Sequence, residues 1–334
     1  MSDVATPHST AGMGQKFLSN RNMVLTAATL AVLVLMCGVF ATLTDRFLTV
    51  SNFQNVMRNA APVIIASCGM TTVMIARGLD LSVGSVLAAS SVIAGSLAVA
   101  GVPLYLAFLL AVLFGAAVGA VNGVIIAGLA VSPIIVTLGM LNIARGAAYL
   151  ISPSAILVGL PSGWSFLGTA KVLGLPMPIV IAGIVVAVFY VMTSYTTFGK
   201  RIYAIGGNEE AARLSGINIK RTLLWLYVMC GMTAALAGVV LSSRVGSGDP
   251  NIGVGFELQV IAAIIIGGTS LSGGEGRILG TVIGALIIGV LANGLNLAGV
   301  EPFWQFVAQG LVLIVAIIVD RLVQDGVLKM RKGA

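Results

Sequence analysis

Long apolar runs separated by short polar stretches set the pattern of this chain. A hydrocarbon core of about 30 Å takes about 20 apolar residues per helix. On that scale the runs predict ten spanning helices, at 23–43, 62–78, 83–99, 103–129, 132–152, 178–196, 222–242, 256–273, 278–298 and 303–320. Two of them, 83–99 and 256–273, are short and rich in Gly and Ser, which leaves open whether they cross fully or are broken. Pro62, Pro103, Pro133, Pro178 and Pro302 stand where spans are predicted to begin, where a missing N–H costs nothing. Pro7, Pro153, Pro161, Pro176 and Pro250 fall outside the spans, so no kinking proline is expected inside one. The expected fold class is all-α, a polytopic membrane protein: a tail 1–22, a transmembrane domain 23–320 and a basic tail 321–334.

A short internal repeat accompanies the spans. Residues 119–128 read GAVNGVIIAG and 289–299 read GVLANGLNLAG. Both carry an Asn-Gly pair late in a Gly-rich span, and the two spans are predicted to run in opposite directions. Either spans two to five and seven to ten form inverted repeats, a common build for transporters, or Gly/Ala-rich helices resemble each other by composition. Gly115, Gly119 and Gly123, and Gly280 with Gly284, have the four-residue spacing of close helix packing.

Composition agrees with a membrane protein. Of 334 residues, 58% are hydrophobic and 9% charged, against about 25% charged in soluble domains, and the mean hydropathy is +1.07. This excludes a soluble enzyme, a nucleic-acid binder and a disulfide scaffold. The net charge of +7 is read as topology, because Lys and Arg collect on the cytoplasmic side. With ten spans and a cytoplasmic N-terminus, thirteen basic residues fall inside and four (Arg46, Arg58, Lys171, Arg244) outside; Arg145, within a span, completes the 18. Both termini are then cytoplasmic.

Catalytic chemistry is sparse. His8 is the one histidine, in a polar stretch, so neither a zinc site nor a Ser-His-Asp triad is expected. Cys37, Cys68 and Cys230 lie in apolar runs without paired spacing and read as small buried hydrophobes. Gly199-Lys200-Arg201 lacks the upstream glycine and the hydroxyl of a phosphate-binding Walker loop.

The longest charged stretch between spans is 197–221, TFGKRIYAIGGNEEAARLSGINIKR. Asn208 is placed to cap a short helix over 208–215, with Glu209 and Glu210 in its first turn and Gly216 as its stop. By itself it reads as a solvated connector. Asp80 reads as a cap of the third span or a partner of Arg77. Arg145 lies 12 residues past Pro133, about 18 Å along a helix, where a charge faces a cavity, a carbonyl cluster or the bundle interior. Asn142, Asn293, Gln305 and Gln309, with Arg145, are candidate pathway residues; interhelical hydrogen bonding is the alternative for the amides.

Glu210-Ala211-Ala212, three residues, then Gly216 resembles the EAA-x-x-x-G loop of permease subunits in binding-protein-dependent ABC importers. FGKRIYAIGGNEEAARLSGI, with ARGLDLSVGSVLA at 76–88 and IIIGGTSLSGGEGRILGTVIGALIIG at 264–289, resembles the ribose/arabinose-type sugar permeases over residues 45–320. The Ile-x-Leu-Pro tail of the wider consensus is absent, which argues against the maltose type. The resemblance implies that Gly206, Gly207, Asn208, Glu209, Glu210, Ala211, Ala212, Arg213 and Gly216 couple this chain to an ATPase. It implies that Asp80, Ser82 and Gly84 are a structural motif. It also implies three partners besides the bilayer: a separate ATP-binding subunit carrying ATP and Mg, a periplasmic sugar-binding protein, and a second permease chain. No cofactor or metal is expected on this chain, and the inner membrane of a bacterium is its expected location. The alternative function is a self-sufficient secondary transporter of a small polar solute. That wants intramembrane carboxylates to carry protons or sodium, and all acidic residues but Asp80 fall in termini, loops or span ends.

Overall fold

The computed structural model describes residues 11–152 and 156–332; His8 lies outside the described residues. The elements are α1 (Ala11–Leu43), α2 (Val50–Ile75), α3 (Val83–Val99), α4 (Leu104–Leu129), α5 (Pro133–Ile151), α6 (Phe166–Thr169), β1 (Lys171–Val172), β2 (Leu175–Pro176), α7 (Met177–Tyr195), α8 (Thr197–Gly207), α9 (Glu209–Leu214), α10 (Ile219–Val245), α11 (Phe256–Ile266), α12 (Ile278–Leu297) and α13 (Pro302–Lys332). α1–α5, α7 and α10–α13 answer to the ten predicted spans. Among the described residues, six of these are long and apolar enough to cross a membrane by length and composition alone.

The borders differ where apolarity and helix geometry diverge. α1 reaches back to Ala11 and α13 forward to Lys332, into the segments assigned as tails, because helix propagation needs one backbone bond per residue and no apolar side chain. α11 stops at Ile266, not 273, at Gly268 with φ +85°. Its 11 residues span about 16 Å, roughly half the hydrocarbon thickness. Non-helical chain at 246–255 and 267–277 flanks it, and such chain is tolerated at membrane depth where protein surrounds it.

Pro62 corrects the expectation that no proline lies within a helix. α2 begins at Val50, capped by the Thr49 side chain, and Pro62 sits inside it, buried. The early start lies in 51–59, SNFQNVMRN, whose polar residues lower its apolarity, yet Asn52 and Val56 are buried there within the helix.

α2, α3 and α10 form the interior. Leu87 and Ile65 are fully buried, whereas Val34 on α1, Leu150 on α5 and Ile184 on α7 are exposed where lipid would be the solvent. Between helices in lipid the drive to associate is close packing rather than water exclusion, and the glycines supply it. A Cβ on Gly119 of α4 would lie 2.1 Å from the Tyr227 carbonyl oxygen of α10, and one on Gly231 of α10 would lie 2.1 Å from that of Gly115. The α4 glycine stripe is thus spent on α10. Gly284 and Gly280 of α12 likewise close on Ala263 and Gly267.

Neighbour relations map onto themselves when α2–α5 are exchanged with α10–α13. α4 packs on α10 and α12 on α2; α3 touches α4, α5 and α10, and α11 touches α12, α13 and α2. The match of the two Asn-Gly segments therefore reflects architecture as well as composition.

Candidate functional site

Segment 197–207, expected as loop, is helix α8. Thr196 caps it through the Gly199 N–H, and Ile202, Ile205 and Gly206 face inward. Asn208 then breaks to extended backbone and caps α9, its side chain accepting the Ala211 N–H at 3.0 Å. Glu209 and Glu210 stand exposed in the first turn, while Ala212 is buried beneath. The Glu210 carboxylate takes the Arg213 guanidinium at 2.6 Å and raises its pKa. Gly216 follows at φ +79°, with its N–H on the Arg213 carbonyl and that of Ile217 on Ala212, the ending that favours glycine.

This pair of helices rests on two distant segments. Arg77, just past α2, donates from Nε to the Gly206 carbonyl at 2.8 Å and from Nη2 to that of Gly207 at 3.0 Å. These are among the last carbonyls of α8, which helix geometry leaves unpaired and which a cation suits. From the other side the Gly274 N–H donates to the Ile75 carbonyl at 2.8 Å, and the Tyr203 hydroxyl to that of Gly276 at 2.8 Å. Burial raises the Tyr203 pKa, so the phenol stays a donor. Gly206 is where the three meet: a Cβ there would lie 1.7 Å from the Ile75 oxygen and 2.5 Å from the Gly274 nitrogen. The three sequence strings at 76–88, 198–217 and 264–289 thus converge at one end of the bundle. Beside them opens a cleft of about 570 Å³, lined by Arg77, Arg213, Lys220, Glu209 and Tyr227 among others.

Asp80 does not meet Arg77, because the left-handed turn at Arg77, φ 64°, sends the two side chains to different segments. The Asp80 carboxylate is buried and accepts the Ser82 N–H, at 2.9 Å, and the Ser82 hydroxyl. Ser82, the residue preceding α3, also receives the Asn122 amide from α4 at 3.2 Å. An acidic group near the start of a buried helix matches the positive end of its dipole, so Asp80 fastens α3 to α4. Gly84 admits the first turn of α11, since a Cβ there would lie 2.3 Å from Glu257 Oε2.

The candidate pathway residues are not gathered. Arg145 donates to the carbonyls of Pro250, Ile252 (3.0 Å) and Gly253 (3.4 Å), the chain just before α11. Of the surroundings open to it, this is the carbonyl cluster. One turn on, the Tyr149 hydroxyl reaches Asn251. Asn142 is exposed and bonds its own helix at Leu138, whereas Asn293 of α12 donates to Asn52 of α2 at 3.0 Å. Gln305 and Gln309 are half-buried on α13, which packs on α11. Sequence reasoning missed Arg77, Tyr203 and Gly274 as parts of the site. The one available signal was the glycine-dense run GGTSLSGGEGR, since such runs mark tight backbone approach. Among the described residues no group of three or more His, Cys, Asp or Glu is placed to hold a metal ion.

Comparison with known proteins fits this geometry. Residues 52–317 match the family described as branched-chain amino acid transport system / permease component. The chain is 40% identical to the ribose import permease protein RbsC of Escherichia coli K12, covering 92% of this chain and 97% of that protein. It is 41% identical to the ribose import permease protein of Bacillus subtilis 168, over 87% and 90%. It is 38% identical to the L-arabinose transport system permease protein AraH of E. coli K12, over 88% and 89%. No solved structure matches the chain. The chain therefore belongs to this permease-component family, as the multi-pass membrane permease subunit of an ABC importer.

Proposed function

We propose that this permease passes a monosaccharide or a sugar-like small molecule across the bacterial inner membrane, driven by ATP hydrolysis on a separate subunit that docks on α8 and α9. The observation that carries the reading is the mounting of α9. Its exposed acidic turn, Glu209 and Glu210, stands on α8, whose end is wedged against the end of α2 through Gly206 and Arg77. A push on α9 therefore arrives at a helix buried in the middle of the bundle. The sugar class is supported by the ribose, allose and arabinose permeases among the relatives. ATP and Mg reside on the partner, whose side is the cytoplasm along with both termini; a periplasmic binding protein delivers the substrate, and a second permease chain completes the channel. Charge supports the orientation: Arg77, Lys200, Arg201, Arg213, Lys220, Arg221 and Arg277 gather at the α8–α9 end.

The test is Glu210→Lys. It removes the ion pair to Arg213 and reverses the charge offered to the partner, at an exposed position where the bundle does not depend on it. Membrane levels are expected to match the parent, with the ATP-binding subunit no longer co-purifying. Parental co-purification together with parental transport rejects α9 as the docking element.

A further inference from the structure

Among the described residues, six helices end in the same backbone motif. At the ends of α2, α3, α9, α10, α11 and α12 the N–H after a left-handed residue returns to a carbonyl five residues back. Five of the six place glycine in the left-handed position: Gly101, Gly216, Gly246, Gly268 and Gly299. Each has open space where a Cβ would be, so glycine is there for its conformation alone, as is usual at this position. α2 places Arg77, with φ 64°. A left-handed arginine is strained relative to glycine, and here the side chain gives something in return.

What it returns is the pair of bonds to the Gly206 and Gly207 carbonyls. The left-handed backbone is what aims the guanidinium at α8, and the fork geometry of arginine grips two successive carbonyls, which lysine as a point charge does not. On the opposite flank, a Cβ on Gly273 would lie 2.2 Å from Arg77 Cγ, so the 267–277 turn confines the stem of the side chain.

We propose that Arg77 is a positioning residue that transmits displacement of α8 and α9 to α2, so that ATP hydrolysis on the partner is converted into opening of the bundle. This rests on the docking reading above and adds to it a specific link. The two charge-assisted bonds hold the α8 end to the α2 end; without them α8 moves while α2 stays.

The experiment uses the complete transporter, with its ATP-binding subunit and binding protein, in liposomes, and compares Arg77→Gln and Arg77→Lys with the parent. Both variants are expected to co-purify with the ATP-binding subunit and to hydrolyse ATP. Substrate moved per ATP is expected to fall by about tenfold in Arg77→Gln, within the range of a coupling free energy between two sites. Arg77→Lys, which keeps the charge and one donor position, is expected to fall between that variant and the parent. If Arg77→Gln does not accumulate, Arg77→Lys is read in its place. A parental ratio of transport to ATP overturns the inference, and so does loss of co-purification, which makes Arg77 part of the docking surface. If Glu210→Lys is also normal, the docking reading fails; if only Glu210→Lys is defective, this inference alone fails.

Discussion

Arg244, near the end of α10, donates a hydrogen bond at 3.1 Å to the backbone carbonyl of Arg58 on α2. Four residues on from Arg58 stands Pro62, which has no N–H, so the helix cannot supply that carbonyl with its own donor. The guanidinium replaces the missing bond from outside the helix, which is how a proline is accommodated mid-span.

Arg244→Ala leaves the Arg58 carbonyl unpaired in a partly buried setting and is expected to destabilise the bundle by about 1–3 kcal/mol. Pro62→Ala restores the N–H, so the cost of Arg244→Ala should shrink in that background. Thermal unfolding of the four detergent-purified proteins measures the coupling. Additive losses would mean that the two residues act independently.

Arg145 holds three carbonyls of the 250–253 segment, whereas Arg46 is exposed. Arg145→Ala is therefore expected to lower folded yield and transport well below the parent, with Arg46→Ala close to it. The loss for Arg145 is about 1–3 kcal/mol from the orphaned carbonyls. Equal, mild effects in expression and uptake assays would remove any special role for Arg145.

Gly119→Val should part α4 from α10, because the added Cβ meets the Tyr227 carbonyl oxygen at 2.1 Å, a backbone atom with no rotamer to yield. Gly128→Val, on the same helix with open space around it, is the control. Size-exclusion profiles of tagged protein should show loss of the folded peak for the first and retention for the second.

The proposed orientation predicts that cysteine at Ser215 is labelled only from the cytoplasmic side and cysteine at Ser162 from outside. Both positions are exposed. Ser162 is a better probe than its neighbour Gly163, whose φ of +96° disfavours any side chain; Ser154 lies outside the described residues. Cys68 and Cys230 are buried and should give little background. Outside labelling at Ser215 would invert the topology.

The amino-acid sequence by itself determined the membrane class, the ten apolar segments that become helices, the capped α9 and the Gly216 stop, because each depends on chemistry within a few neighbouring residues. Apolarity over 20 residues and an asparagine ahead of two glutamates are local facts, and the bilayer enforces helix wherever the first holds. Only the tertiary structure decided that α8 is a helix, that Pro62 lies within one, and that Arg77 turns from Asp80 to α8. Those outcomes hinge on partners 129 residues away for Arg77 and 186 for the Arg58 carbonyl. No periodicity records such distances. A left-handed arginine and a proline that lacks its donor are locally unfavourable, and they persist because contacts from elsewhere in the chain offset them.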